Sequence, residues 1–137
     1  MRFDNLHQGI EYTGEAYIHD SIVLSIQYDY YNHTIFFESK DGCGKNVIYS
    51  LLFNNVIGFE MMSCDFWGKS PYVFDWGCEE AQNQYLIHRL FAEKNTHNYM
   101  YSRLDDRDKY IEAVIDFTSG DKLRVACEYI IFEERSI

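Results

Sequence analysis

Proline occurs once in the 137 residues and glycine only eight times, and no fixed-period repeat runs through the chain. A disordered or low-complexity polymer is thereby excluded. Long apolar runs are also missing. The longest span a few residues against the ~20 that a membrane helix needs, so no bilayer crossing is expected. No basic stretch followed by an apolar block opens the sequence, so no secretion signal is expected and the cytoplasm is the predicted compartment. Cysteine is sparse: Cys43, Cys64, Cys78 and Cys127 show no short paired spacing, which predicts free buried thiols rather than a disulfide frame or a zinc site.

Basic residues are the scarcest charged class. Twelve lysines and arginines face 22 acids for a net charge of −10, and the two halves divided at Cys78 are both acidic. Such a surface repels phosphate backbones, which argues against nucleic acid and against anionic membranes as partners. It favours rapid encounter with a basic protein. The five histidines (His7, His19, His33, His88, His97) contain no i,i+4 pair and no cysteine neighbour at ligand spacing, so no metal and no cofactor is predicted.

What the chain does have is rings. Hydrophobic residues make up 47% and aromatics 18%, a composition that leans toward sheet. The density peaks between Phe53 and Trp76, where both tryptophans and the single proline fall. Strands are predicted over Ile22–Asp29, Thr34–Ser39, Asn46–Phe53, Val56–Ser63 and Tyr72–Trp76, with a less regular lead over Ile10–Ile18 and a short strand over Tyr99–Arg103. In the first of these, Ile22, Leu24, Ile26 and Tyr28 form one face by two-residue alternation. Gly58 marks a bulge or a close backbone approach. A helix is predicted over Glu79–Lys94, where Leu86/Leu90 and Ile87/Phe91 share a face, Glu79 and Glu80 suit the N-terminus and Asn95 supplies a left-handed stop. A hairpin closes the sequence: Tyr110–Thr118 turns at Ser119-Gly120, and Lys122–Phe132 returns across the whole sheet. The expected fold is a single α+β domain over residues 1–137. It is mainly antiparallel β, curved or sandwich-like, with one helix packed on it.

Sites with catalytic overtones are weak. His19, Asp20 and Ser21 are consecutive in an extended segment, where neighbouring side chains point apart, so they cannot form a triad and are assigned structural roles at a strand entrance. Cys78 precedes the helix, yet Glu79 and Glu80 disfavour a thiolate there and His88 lies ~15 Å along the axis. Alternation along Tyr72, Phe74 and Trp76 predicts Phe74 and Trp76 in the core. Trp67, on a Gly/Pro loop beside Asp65 and Lys69, is predicted to be exposed as a rigid anchor.

Four short stretches carry a resemblance: His19-Asp20-Ser21 before an alternating strand, Phe53-Asn54-Asn55-Val56, Phe66-Trp67-Gly68-Lys69-Ser70 and Phe74-Asp75-Trp76. Together they resemble small uncharacterised bacterial proteins of the immunity type, often encoded beside polymorphic or contact-dependent toxins. The resemblance spans about residues 15 to 92. It implies a small acidic β-rich binder with no catalytic residues. The leading expectation is accordingly a non-enzymatic protein-binding module, with Trp67, Asp65, Glu60, Lys69, Tyr72, Asp105, Asp106 and Asp108 meeting a basic partner such as a toxin. A small-molecule or carbohydrate-binding domain built on the Trp67 loop is the alternative. A hydrolase assembled from His19, Asp20 and Cys78 ranks last.

Overall fold

The computed structural model describes residues 1–5, 7–9, 16–62, 72–97 and 101–137. Nine strands form two antiparallel sheets. Sheet A has the order β1 (Arg2–Phe3), β9 (Tyr129–Ser136), β4 (Val47–Asn54), β3 (Thr34–Lys40), β2 (Ile22–Asp29). Sheet B has the order β5 (Gly58–Met62), β8 (Lys122–Cys127), β7 (Ile111–Phe117), β6 (Val73–Cys78). The fold is therefore α+β, with two sheets that do not close into a barrel. Inward-facing side chains from both meet in one core that includes Phe37, Leu51 and Phe53 from sheet A and Ile111, Ile115 and Leu123 from sheet B. Burying each such side chain fully contributes about 1.5–3 kcal/mol.

The closing hairpin forms through a four-residue connection, Thr118 to Asp121, in which Gly120 takes φ +95°. The returning strand does not stay in one sheet. It breaks at Glu128, so that β8 pairs with β5 and β7, and β9 crosses to lie between β1 and β4. The two sheets also touch at their other side, where Ile22 bridges Tyr72 and Asp20 N–H donates to Val73 O at 2.8 Å.

Two alternation patterns are interrupted by bulges. In β6 the register with β7 shifts between Val73 and Asp75. Val73 and Trp76 consequently face the core, and Phe74 is 56% exposed rather than buried. Trp76 Nε1 donates to Ala16 O at 2.6 Å and its ring meets Phe3 edge-on, which ties the lead segment into the interior. A second shift, between Val23 and Ser25 in β2, breaks the face predicted for Ile22, Leu24, Ile26 and Tyr28. Gly58 lies in regular pairing with Ala126, so no bulge is present there. A side chain at this position would meet Leu90 Cδ1 at 3.0 Å, so the helix approaches β5 closely here.

The helix is shorter and later than predicted. Glu79-Glu80 lead into a 3₁₀ turn over Ala81–Asn83, and α1 runs only over Leu86–Thr96. It continues through Asn95, and its cap His97 has φ −134°, so no left-handed stop is used. Its first turn contains no acid and no local side-chain cap. The missing cap comes from β7. Glu112, fully buried, accepts Tyr85 N–H and Ile87 N–H at 2.8 Å each and pairs with Arg124 Nη1 at 2.6 Å. Leu86, Ile87 and Phe91 pack with Tyr110 and Ala126 on the outer face of sheet B, which is why β7 is buried on both sides. Ala16–Ile18 is not strand and Tyr101–Arg103 is a turn; the rest of the two weaker predicted strands lies outside the described residues.

Candidate functional site

The connection after β2 is shaped by Asp29. Its carboxylate accepts the amides of Tyr31 and Asn32 at 3.0 and 3.1 Å and the Asn32 side-chain amide at 2.7 Å. These bonds, that of the Asn32 side chain foremost, hold the carboxyl below its ordinary range. With His33 at φ +54° the chain turns tightly, and the neighbouring rings are left standing in solvent. Tyr30 is 69% and Tyr31 89% exposed.

The strand itself extends this surface. β2 is the edge of sheet A and runs past the ends of the sheet B strands. Ile22 bridges Tyr72, Val23 and Ile26 share an apolar cleft of about 210 Å³ with Met61 and Phe117, and Tyr28 lies 4.6 Å from Phe59 between ring centroids. Ile26 and Tyr28 pair across the ladder with Phe37 and Ile35, so they point to the core side. Phe59 and Met61 likewise pair with the buried Val125 and Leu123. All four belong by register to the interior, yet each stays partly exposed because the sheets part here. Beyond them Tyr28, Tyr30 and Tyr31 border an open groove of about 620 Å³ with Gln27, Asp29, Thr34 and Phe36. Single exposed apolar residues mean little, but a contiguous group on two adjacent edge strands is the form an interaction surface takes.

Polar atoms at the rim are unsatisfied. Ser25 Oγ and Asp121 Oδ1 are buried without a hydrogen-bond partner among the described residues. Asp121 lines the apolar cleft, and neither it nor Glu60 on β5 has an ion-pair partner among the described residues. Of the flanking cations, Lys122 is engaged by Asp116 at 3.4 Å, and Lys40 sits opposite Ile22 at the far end of β2.

The predicted site residues scatter relative to this edge. Asp65, Trp67 and Lys69 lie outside the described residues, as do Cys64 and Pro71; the described chain leaves at Met62 and resumes at Tyr72, both beside β2. Tyr72 is 37% exposed and uses its carbonyl to accept Thr118 N–H at 2.9 Å. Asp105, Asp106 and Asp108 gather elsewhere, around the 3₁₀ turn Arg107–Lys109. Asp105 pairs with Lys109 at 2.9 Å, a contact that lowers its pKa, and its amide donates to the Tyr110 hydroxyl. That group adjoins the Ile111 end of β7, and the aromatic edge adjoins the Phe117 end, ~20 Å away. The structure therefore brings Tyr72 to the edge, turns Glu60 on β5 to the outer face of sheet B opposite Arg124, and leaves the three aspartates apart.

His19, Asp20 and Ser21 form a turn. Asp20 adopts φ +65°, Ser21 Oγ donates to Ile18 O at 2.6 Å and bonds Ser39 Oγ at 2.8 Å, and both serines are fully buried. His19 is flanked by Tyr17 and Phe74, and its Nδ1 approaches Asp20 Oδ2 at 3.0 Å off the hydrogen-bond direction. Cys78 is enclosed: burial, with Glu79 adding to it, pushes its thiol up to about 12, and Cys127 is driven well above the usual range in the same way. His88 is exposed on the helix. Among the described residues no cluster of histidine, cysteine and carboxylate is arranged to hold a metal.

No family model matches the chain, and no curated protein does. A crystal structure of an uncharacterized protein from Neisseria gonorrhoeae is similar, with a TM-score of 0.54 and 14% identity over 85% of this chain and 93% of that one. At that identity the likeness is one of fold. No described helix is long and apolar enough to cross a membrane.

The residues of this edge that sequence reasoning passed over are Ile26, Tyr28, Tyr30, Tyr31, Phe59 and Met61. One signal was present. Tyr28-Asp29-Tyr30-Tyr31 places three large rings around a turn, where no sheet can cover all of them.

Proposed function

We propose that this protein is a non-enzymatic protein-binding module acting in the cytoplasm, and that its partner is a basic protein of the kind a bacterial immunity protein neutralises. The observation that carries the reading is the parted edge of the two sheets, where Ile26, Tyr28, Phe59 and Met61 are core-facing by register yet only partly covered. Rigid rings with few rotatable bonds suit a binding hot spot, and the −10 charge speeds and orients the approach of a cation-rich partner. The rings meet near-perpendicular, at 85° between Tyr28 and Tyr30 and 88° between Tyr30 and Tyr31. That relief fits an irregular protein surface better than the flat face of a sugar.

Photo-crosslinking in cells tests it. A benzophenone amino acid in place of Tyr31 is expected to trap one basic protein, and the same probe at the exposed Ile137 is expected to trap none. In cell extract the yield of the adduct should fall as salt rises from about 50 to about 500 mM, since exposed charges are then screened within a few ångströms. No adduct at position 31, or one equally strong at position 137, refutes the reading.

A further inference from the structure

We infer that the open side of β2 accepts an extended, basic segment of the partner as an additional strand, a mode that rests on the binding-module reading above. β2 is eight residues long and terminates sheet A. Among the described residues its outer side pairs only at Ile22, through the single bridge to Tyr72, so from Ser25 to Asp29 the alternate amides and carbonyls that face away from β3 have no ladder partner. An edge of this length is ordinarily blunted by lysine, proline, an inward-pointing charge or a bulge, and the bulge of β2 lies ahead of Ser25. Here the sequence Ser25-Ile26-Gln27-Tyr28-Asp29 has none of them, and its one charge is spent within its own turn.

A strand added at this edge would gain more than main-chain bonds. Alternate side chains would fall on the core side, over the cleft between Ile26 and Met61, where apolar residues are taken up. An arginine or lysine beside them would reach Asp121, which lines the cleft and whose carboxylate has one oxygen without a partner among the described residues. The occupant is therefore a foreign basic strand rather than a second copy. A copy would offer no cation to Asp121 from its own β2 edge and would bring together two chains of charge −10.

The test uses the intact protein and a synthetic fluorescent peptide of about eight residues, alternating valine with threonine and bearing a pair of arginines. In the free protein, alternate amides between Ser25 and Asp29 are expected to exchange rapidly. Peptide binding should protect them, while amides of β4, central in the same sheet, stay unchanged. Methylating two peptide amides on the pairing edge should raise Kd about tenfold. Asp121→Asn should raise it about fivefold with an unaltered melting curve, and an acidic analogue of the peptide should not bind. The inference is overturned by slow exchange of β2 in the free protein, by binding that leaves β2 unprotected, or by no binding up to about 1 mM. It is equally overturned if sedimentation shows a dimer sealed through β2. A crosslink at Tyr31 together with any of these results removes strand addition and leaves the binding-module reading standing.

Discussion

Replacing Glu112 by alanine should be the most damaging single change outside the apolar core. The side chain has no solvent exposure and meets three donors: the amides of Tyr85 and Ile87 at 2.8 Å and the Arg124 guanidinium at 2.6 Å. Alanine orphans two helix-terminal amides and leaves Arg124, only 14% exposed, without its counter-charge. Removing one partner of a buried pair costs about 3–5 kcal/mol, so a loss of about 4 kcal/mol is expected. For a domain of this size that corresponds to a melting point lower by roughly 15 °C. Glu112→Gln keeps the shape and one good acceptor, and should cost about 2 kcal/mol. Urea unfolding followed by circular dichroism measures both. Amide exchange should show the first turn of α1 loosening ahead of the sheets. Adding Arg124→Met to Glu112→Gln should cost less than the two single losses combined, because each single variant already breaks the same pair. A loss below about 1 kcal/mol for Glu112→Ala, or α1 protection that survives intact, would refute the view that this carboxylate holds the helix in place.

Other perturbations test separate parts of the fold. Gly42→Ala drives a methyl group into the backbone carbonyl of Asp20, a neighbour that cannot swing aside, and should cost about 1–3 kcal/mol in urea titrations. Gly58→Ala meets only the tip of Leu90 and should cost less than Gly42→Ala in the same assay. Asp41 is a case where burial alone would raise the carboxyl, but the amides of Lys45 and Cys43 and the Tyr49 hydroxyl hold it below its ordinary 3.8. Its contribution to stability is therefore present above pH ~4 and lost as pH falls through the lowered value. Asp41→Asn should flatten the acid limb of the stability profile; an unchanged limb would show that the carboxylate contributes nothing there. Iodoacetamide at pH ~8 should label Cys43 in the native protein and reach Cys78 and Cys127 only after unfolding, because the half-buried Cys78 thiol and the buried Cys127 thiol stay protonated. Native labelling of Cys78, mapped by mass spectrometry, would reopen the case for a reactive cysteine.

Fold class was readable from local pattern because the period-two alternation of burial in β3 and β4 is uninterrupted and one face of each strand meets the core. The failures share a cause in long-range structure. A bulge turns Phe74 outward while Trp76 stays in the core as expected, and no property of residues 72–76 alone announces it. The helix start was placed at Glu79 because local acids suit a helix N-terminus, whereas the actual cap, Glu112, comes from a strand 25 residues beyond Ile87. In the β7 sequence Glu112 reads as a solvent-side residue, since alternation cannot reveal a helix lying on the outer face. Asp105, Asp106 and Asp108 were grouped with Glu60 by sign of charge, and the sheet then set them at the far end of β7. The aromatic edge escaped for the same reason: Ile26 and Tyr28 carry the pattern of half-buried residues, and only the parting of two sheets leaves them uncovered.

The passage of one strand from sheet B into sheet A at Glu128 also governs when the molecule can exist at all. β9 supplies the partner for both β4 and β1, and residues 2–3 find their places only against residues 130–131, with the Met1 amino group closing onto Phe132 O at 2.9 Å. A nascent chain still lacking Tyr129–Ser136 can pair β4 with β3 but leaves the other edge of β4 bare, and residues 2–3 lack their strand partner. Assembly must therefore wait until Tyr129–Ser136 has been made and proceed slowly, as pairings of high contact order do. Through that interval β4 is a sticky, unguarded surface, and the cell's holdases, rather than early folding, would be what keeps it from aggregating.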